Sequence, residues 1–199
     1  MDDIEIKLRD GMEKRGITGE AQDRIVRSIT SFALYGFPES HAASFALIAY
    51  ASAYLKCHYL PSFTAAILNN QPMGFYSPAT LVKDAQRHGL RILPIDATRS
   101  DWLCSLEKTP IKTGPGEEFS LRLGLNYVSG LCETIGLRIV KERSRKTFTS
   151  IEDLAHRVPE LKKKELTLLA EVGALNLIRK DSPIHRRDAL WQVERALRP

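Results

Sequence analysis

The stretch "HAASFALIAYASAYL", His41 to Leu55, limits what this chain can fold into more than any other. Its apolar residues are too dense to form a single stripe on a helix. A helix that is apolar nearly all round has to be covered on every side. The spacing predicts a helix from about Ser40 to His58, buried among other helices, with alanines and serines that let neighbours come close. The run falls short of the roughly 20 apolar residues a bilayer requires. It is also interrupted by Ser44, Tyr50, Ser52 and Tyr54, so a core helix is expected rather than a membrane span.

Other helices announce themselves on both sides. Ile4, Leu8 and Met12 recur at helical spacing before Gly16, and Ala21, Ile25, Ile29 and Phe32 follow on one face after Thr18. Gly36 and Pro38 break the chain, and Pro61 stands where a new helix can start. Ser77 and Pro78 read as cap and first residue of another helix that Gly89 closes. The period then changes: "LRILPID", "WLCSLE" and "FSLRLGL" read as short strands. Helices return near Glu133–Arg143, Ser150–Arg157 and Lys162–Val172, with a last one from about Ile184. The expected fold is mainly α with a small β element. It divides into a helical segment over 1–78, strands and paired hairpins over 79–178, and a C-terminal helix and connector over 179–199.

Charge is unevenly spread. Residues 1–120 carry 13 Lys/Arg against 14 Asp/Glu, whereas residues 121–199 carry 16 against 10. The net charge of +5 therefore sits in the C-terminal part, which suggests a polyanion partner, nucleic acid before membrane. Three scattered cysteines without a CxxC pair read as buried free thiols in a reducing cytoplasm. The five histidines show no metal-ligand spacing, Asp96 and Asp101 lack the pattern of a two-metal site, and there is neither a GxSxG nor a P-loop. No catalytic, metal or cofactor site is expected in these residues.

The C-terminal half carries the clearest motif. In "LNYVSGLCETIGLRIVKERSRKTF", Val128 leads into a turn at Gly130 and Leu131, followed by a helix whose far end holds Lys141, Arg143, Arg145 and Lys146. That order resembles a helix-hairpin-helix motif, whose glycines let backbone N–H groups approach a DNA phosphate. Such contacts are sequence-independent and salt-sensitive. Cys132 stands where the motif usually has a second glycine. A second copy follows, with "TSIEDLAHRV", the turn "PEL" and "KKKELTLLAEVGAL", in which Leu166 and Leu169 face inward. Lys162, Lys163 and Lys164 at the start of that helix oppose its dipole, so a nearby phosphate is the expected reason for them. A plain turn between packed helices and a solvated lysine run are the competing structural readings of the two copies.

Read in order, "YGFPESHAASFALIAYASAYLKCHYLPSFTAAILNNQPMGFYSPATLVKDAQRHGLRILPIDATRSDW", "LRLGLNYVSGL", "FTSIEDLAHRV", "ELTLLAEVGALNLI" and "HRRDALWQV" resemble the fingers and helix-hairpin-helix regions of the bacterial C-family DNA polymerases, the alpha subunits of DNA polymerase III. Pro38 and Glu39, where replicative members usually have asparagine and lysine, and the loop Gln71–Ala79 are similar to the error-prone, damage-induced branch, the second DnaE or ImuC type. The resemblance implies fingers that close over a dNTP and the templating base, with Ser40, His41 and Ser44 as candidate nucleotide contacts. Glu39 would then need to point away or pair with a base such as Lys56 or Arg24. It also implies primer-template duplex DNA as partner of the hairpins, and a sliding clamp and mutagenesis-cassette proteins as partners of the full-length polymerase. The two magnesium ions would lie on palm aspartates upstream, so this segment alone is expected to be inactive. A segment of a replicative alpha subunit and a stand-alone, non-enzymatic helix-hairpin-helix DNA-binding module are the alternatives.

Overall fold

The computed structural model describes residues 2–34, 39–109, 119–179 and 182–196, and the chain divides into two compact units, Met1–Tyr54 and Leu55–Pro199. The turn Tyr35–Pro38 lies outside the described residues.

In the first unit, α1 (Asp2–Glu13) and α2 (Glu20–Leu34) form a helical hairpin. Gly16 and Gly19 take positive φ in the connection, and the Ile17 N–H bonds back to the Met12 carbonyl. Met12 and Val26 are buried between the helices, and buried Gln22 donates to the Arg9 carbonyl. Arg9 also pairs with Asp23 at 2.8 Å. The expected apolar face of α2 is not covered, since Ile25 and Ile29 are exposed.

The helix α3 (Glu39–His58) forms as expected but is not the buried helix that its apolar run implies. Phe45, Leu47 and Tyr50 are 58%, 71% and 74% exposed. All-round apolarity states that a helix requires cover and does not say which part of a polypeptide supplies it. Among the described residues, no helix is long and apolar enough to cross a membrane.

The second unit holds the well-packed cores. Pro61 starts α4 (Leu60–Asn69), and α5 (Pro78–Arg87) is capped by the Ser77 hydroxyl, which accepts from the Thr80 N–H. The strands β1 (Ile92–Leu93), β2 (Ser105–Lys108) and β3 (Phe119–Arg122) form one sheet in the order β1-β3-β2. β1 runs parallel to β3, and β2 runs antiparallel to it with Leu106 opposite Leu121. α4, expected with the N-terminal segment, packs instead on this sheet. Leu60, Ala65 and Leu68 share a core with Leu90, Cys104 and Leu121. The Asn69 amide fastens the junction, donating to the Cys104 carbonyl at 2.9 Å and accepting from its N–H at 2.8 Å. The Tyr127 hydroxyl adds a bond to the Leu68 carbonyl.

Within the sheet, nearly buried Arg122 holds the Glu107 carboxylate and donates to the Pro94 carbonyl at 2.8 Å. The hydrogen bond from Arg122 keeps the Glu107 carboxyl below its usual range, against the opposing effect of burial. A carboxylate depressed in the folded state stabilises the fold above its unfolded pKa, and that stabilisation is lost as pH falls through the folded value. Stability should thus decline in acid below roughly pH 4.3. Glu107→Gln should flatten this limb in urea melts run across the acid range. An acid limb identical to wild type would refute the pairing.

The second, larger core gathers Leu125, Val128, Ile139, Ile151, Leu154, Val158, Leu166, Leu169 and Leu175. These come from a 3-10 turn (Leu125–Tyr127), α6 (Glu133–Arg145), α7 (Ile151–Arg157), α8 (Lys163–Glu171) and the segments that join them. The last helix, α9 (Arg186–Ala196), joins the same core through Ala189 and Val193 and packs on α7 and α8. Leu166 and Leu169 face inward as their spacing requires. The fold is mainly α with a small sheet.

Candidate nucleic-acid interface

Two hairpins recur in this core with the same local design. In the first, Val128 is buried, the Leu131 N–H bonds to the Val128 carbonyl at 3.0 Å, and α6 follows. In the second, Val158 is buried, the Leu161 N–H bonds to the Val158 carbonyl at 3.0 Å, and α8 follows. Cys132 and Lys162 occupy equivalent cap positions, both extended, with φ of −75°. The tandem repeat expected from sequence is thus a repeat in structure.

The tips differ. Gly130 has φ of +87°, which makes the first tip a turn that only glycine enters without strain. A Cβ there would come within 3.0 Å of Leu168 Cδ1 on α8, so the turn also lies flat against that helix. Among the described residues, the Ser129, Gly130 and Cys132 N–H groups donate to no protein acceptor. The second tip has Pro159, which has no N–H, and Glu160, which does not adopt positive φ. Glu165 Oε2 accepts from the Lys162 N–H at 3.1 Å, so a carboxylate occupies the start of α8.

The residues singled out from sequence fall into three groups. At the first hairpin Gly130 lies against Leu168 of α8, and Lys164 stands one turn before Leu168 on that helix. Lys162, Lys163 and Lys164 are all exposed, and Lys163 makes a surface pair with Glu194 of α9 at 2.7 Å. Leu131 is buried and shapes the turn from beneath.

The second group sits at the C-terminal end of α6, roughly 15 to 20 Å from the tip for a rise of about 1.5 Å per residue. Lys141 and Lys146 are exposed there, and Arg145 reaches Glu142 at 2.9 Å. Arg143 is spent inside the fold. It donates to the Ala97 and Ser100 carbonyls at 3.2 and 2.7 Å and to Asp101 at 2.9 Å.

The third group is on α3. The helix begins at Glu39, which places Ser40 inside its first turn rather than at the cap. His41 packs against Phe45 with ring centroids 4.5 Å apart, and Ser44 is exposed. Lys56, a candidate partner for Glu39, pairs with Asp84 at 2.7 Å.

Of the three thiols expected to be buried, Cys104 is, while Cys57 and Cys132 are exposed. The Thr134 hydroxyl bonds to Cys132 at 3.3 Å and holds its thiol below the usual range. Among the described residues, no group of three or more His, Cys, Asp or Glu is placed to hold a metal ion.

Comparison with known proteins agrees with the hairpin geometry. A family profile described as a helix-hairpin-helix motif matches residues 89–188, which include both hairpins, the sheet and the start of α9. The chain belongs to the helix-hairpin-helix family. It is also 48% identical over 187 residues to an error-prone DNA polymerase of Azoarcus sp. (strain BH72), covering 94% of this chain and 17% of that protein. Error-prone DNA polymerases of Alkalilimnicola ehrlichii and Methylococcus capsulatus match at 47% and 44% identity, over 94% and 97% of this chain. The helix-hairpin-helix chain spans less than a fifth of the length of these curated relatives, 17% to 19%.

Proposed function

We propose that the chain is the fingers and duplex-binding segment of an error-prone DNA-directed DNA polymerase of the damage-induced branch. The observation that carries this reading is the long match to error-prone DNA polymerases, which covers 94% of the chain. In this reading the first hairpin and Lys164 hold a phosphate of the primer-template duplex, and Lys141 and Lys146 lie along its backbone. Arg145 and Lys162 add exposed positive charge on the same unit. The N-terminal turn of α3, with Ser40, His41 and Ser44, faces the incoming dNTP. Magnesium ions on palm aspartates outside these residues supply the electrophilic chemistry, so the chain alone extends no primer. Sliding-clamp and mutagenesis-cassette proteins are partners of the complete, cytoplasmic polymerase in the same proposal.

The test is fluorescence anisotropy of the chain with a short labelled duplex. Affinity should be indifferent to sequence and should fall steeply with salt, because backbone contacts release counterions. Changing Lys141, Lys146 and Lys164 to alanine together should reduce the slope of log K against log salt by about 3. Absence of binding at low salt would overturn the duplex assignment.

A further inference from the structure

The two hairpins share a fold but differ in the donors and carboxylates they offer a phosphate. At the first tip, the Ser129, Gly130 and Cys132 N–H groups are unengaged among the described residues, and the nearest carboxylate in sequence is Glu133 at the first position of α6. At the second, three features act together against an anion. Pro159 removes one donor. Glu160 adds a carboxylate at the tip, held 3.9 Å from Arg138 of α6. Glu165 turns back to accept from the Lys162 N–H, filling the place at the start of α8 where a phosphate oxygen would sit. An N3 carboxylate of this kind satisfies a donor that would otherwise seek an external acceptor.

The basic side chains follow the same division. Lys163 beside the second tip makes a surface pair with Glu194, whereas Lys164 stands one turn before Leu168, the α8 residue that Gly130 lies against. Glu165 is close enough to Cys132 for its charge to be felt at that thiol. The same carboxylate that closes the second site thus also weakens the field at the first.

We propose that the tandem unit grips DNA through one hairpin only: Val128–Cys132 is the phosphate site, and Val158–Lys162 is a brace whose site is filled by the chain's own Glu160 and Glu165. This rests on the duplex binding proposed above and adds which half performs it. Glu165 is then a brake on affinity, and its charge, rather than its capping bond, is the active feature.

The experiment is an amide-resolved NMR titration of the 15N-labelled chain with a short duplex, alongside anisotropy of three variants. Amides from Ser129 to Glu133 should shift on binding, while those of Glu160, Leu161 and Lys162 stay in place. Ser129→Glu should weaken binding at least tenfold. Glu165→Gln keeps an oxygen that can accept from the Lys162 N–H, and combined with Glu160→Gln it should tighten binding severalfold. Gly130→Ala is avoided because it strains the turn itself. Equal shifts at both hairpins, or unchanged affinity in the Glu160→Gln/Glu165→Gln protein, would overturn the one-sided grip and leave duplex binding intact. A wild-type chain that binds no duplex at low salt would remove both readings at once.

Discussion

Gly124→Ala should cost the second unit about 3 kcal/mol, a large share of the stability of a domain this size. A Cβ on Gly124 would lie 2.4 Å from the Trp102 carbonyl oxygen and 2.5 Å from the Leu103 carbonyl carbon. Both are backbone atoms, so no rotamer change relieves the overlap. The contact exists because Asp101 and Trp102 lend their carbonyls to the Leu125 and Asn126 N–H groups, drawing two backbone segments together. The Trp102 ring is confined on its other side, where a Cβ on Gly136 would approach Cε3 to 2.4 Å. Overpacking a well-filled site costs about 1 to 3 kcal/mol, and more where rigid backbone must move. Urea denaturation followed by tryptophan fluorescence should show a lower midpoint with an unchanged slope. A midpoint equal to wild type would mean that the 101–103 segment yields freely, and the tight junction between sheet and hairpin unit would be wrong.

Much of this fold is legible in the amino-acid sequence because its punctuation is local. Ser77-Pro78 and Gly89 bracket α5, and Ser150 caps α7 through the Asp153 N–H, each by chemistry confined to a few residues. The helical period also places Leu166 and Leu169 in the core. What escapes is everything that depends on distant partners. The Asn69 bonds to Cys104 join residues 35 apart, and nothing in either neighbourhood announces them. The exposure of α3 is hidden for the same reason, since burial depends on what arrives from elsewhere.

The candidate site is legible in outline and not in polarity. Gly130 with buried hydrophobic residues on both sides marks a hairpin, and the "PEL" turn marks its repeat. The difference between them lies in single residues: a proline without a donor, a glutamate at the tip, and a glutamate three positions after Lys162. That last spacing is a capping signal, masked by a lysine where a serine or threonine usually stands. The lysine cluster points to phosphate and hides the carboxylate that occupies its backbone.

Arg143 gives the sharpest separation between a structural cation and a DNA contact. Its sequence position, among Lys141, Arg145 and Lys146, reads as part of a basic helix end. Its side chain is only 11% exposed and ties α6 to the 97–101 segment through two carbonyls and Asp101. Ala97 and Ser100 are fully buried, so truncation leaves their carbonyls without that donor. Losing charge-assisted bonds to buried acceptors costs about 1.5 to 3 kcal/mol each, while the Asp101 pair adds little because that carboxylate is exposed. Arg143→Ala should therefore destabilise the second unit by about 3 kcal/mol. Arg143→Lys should recover only part of this, because one ammonium cannot reproduce the guanidinium fork. At a temperature where the variant stays folded, its salt slope for duplex binding should equal wild type, whereas Lys141→Ala should lower that slope by nearly one at unchanged stability. A stable Arg143→Ala protein with a reduced slope would return the residue to the DNA and cut the tie between α6 and the 97–101 segment.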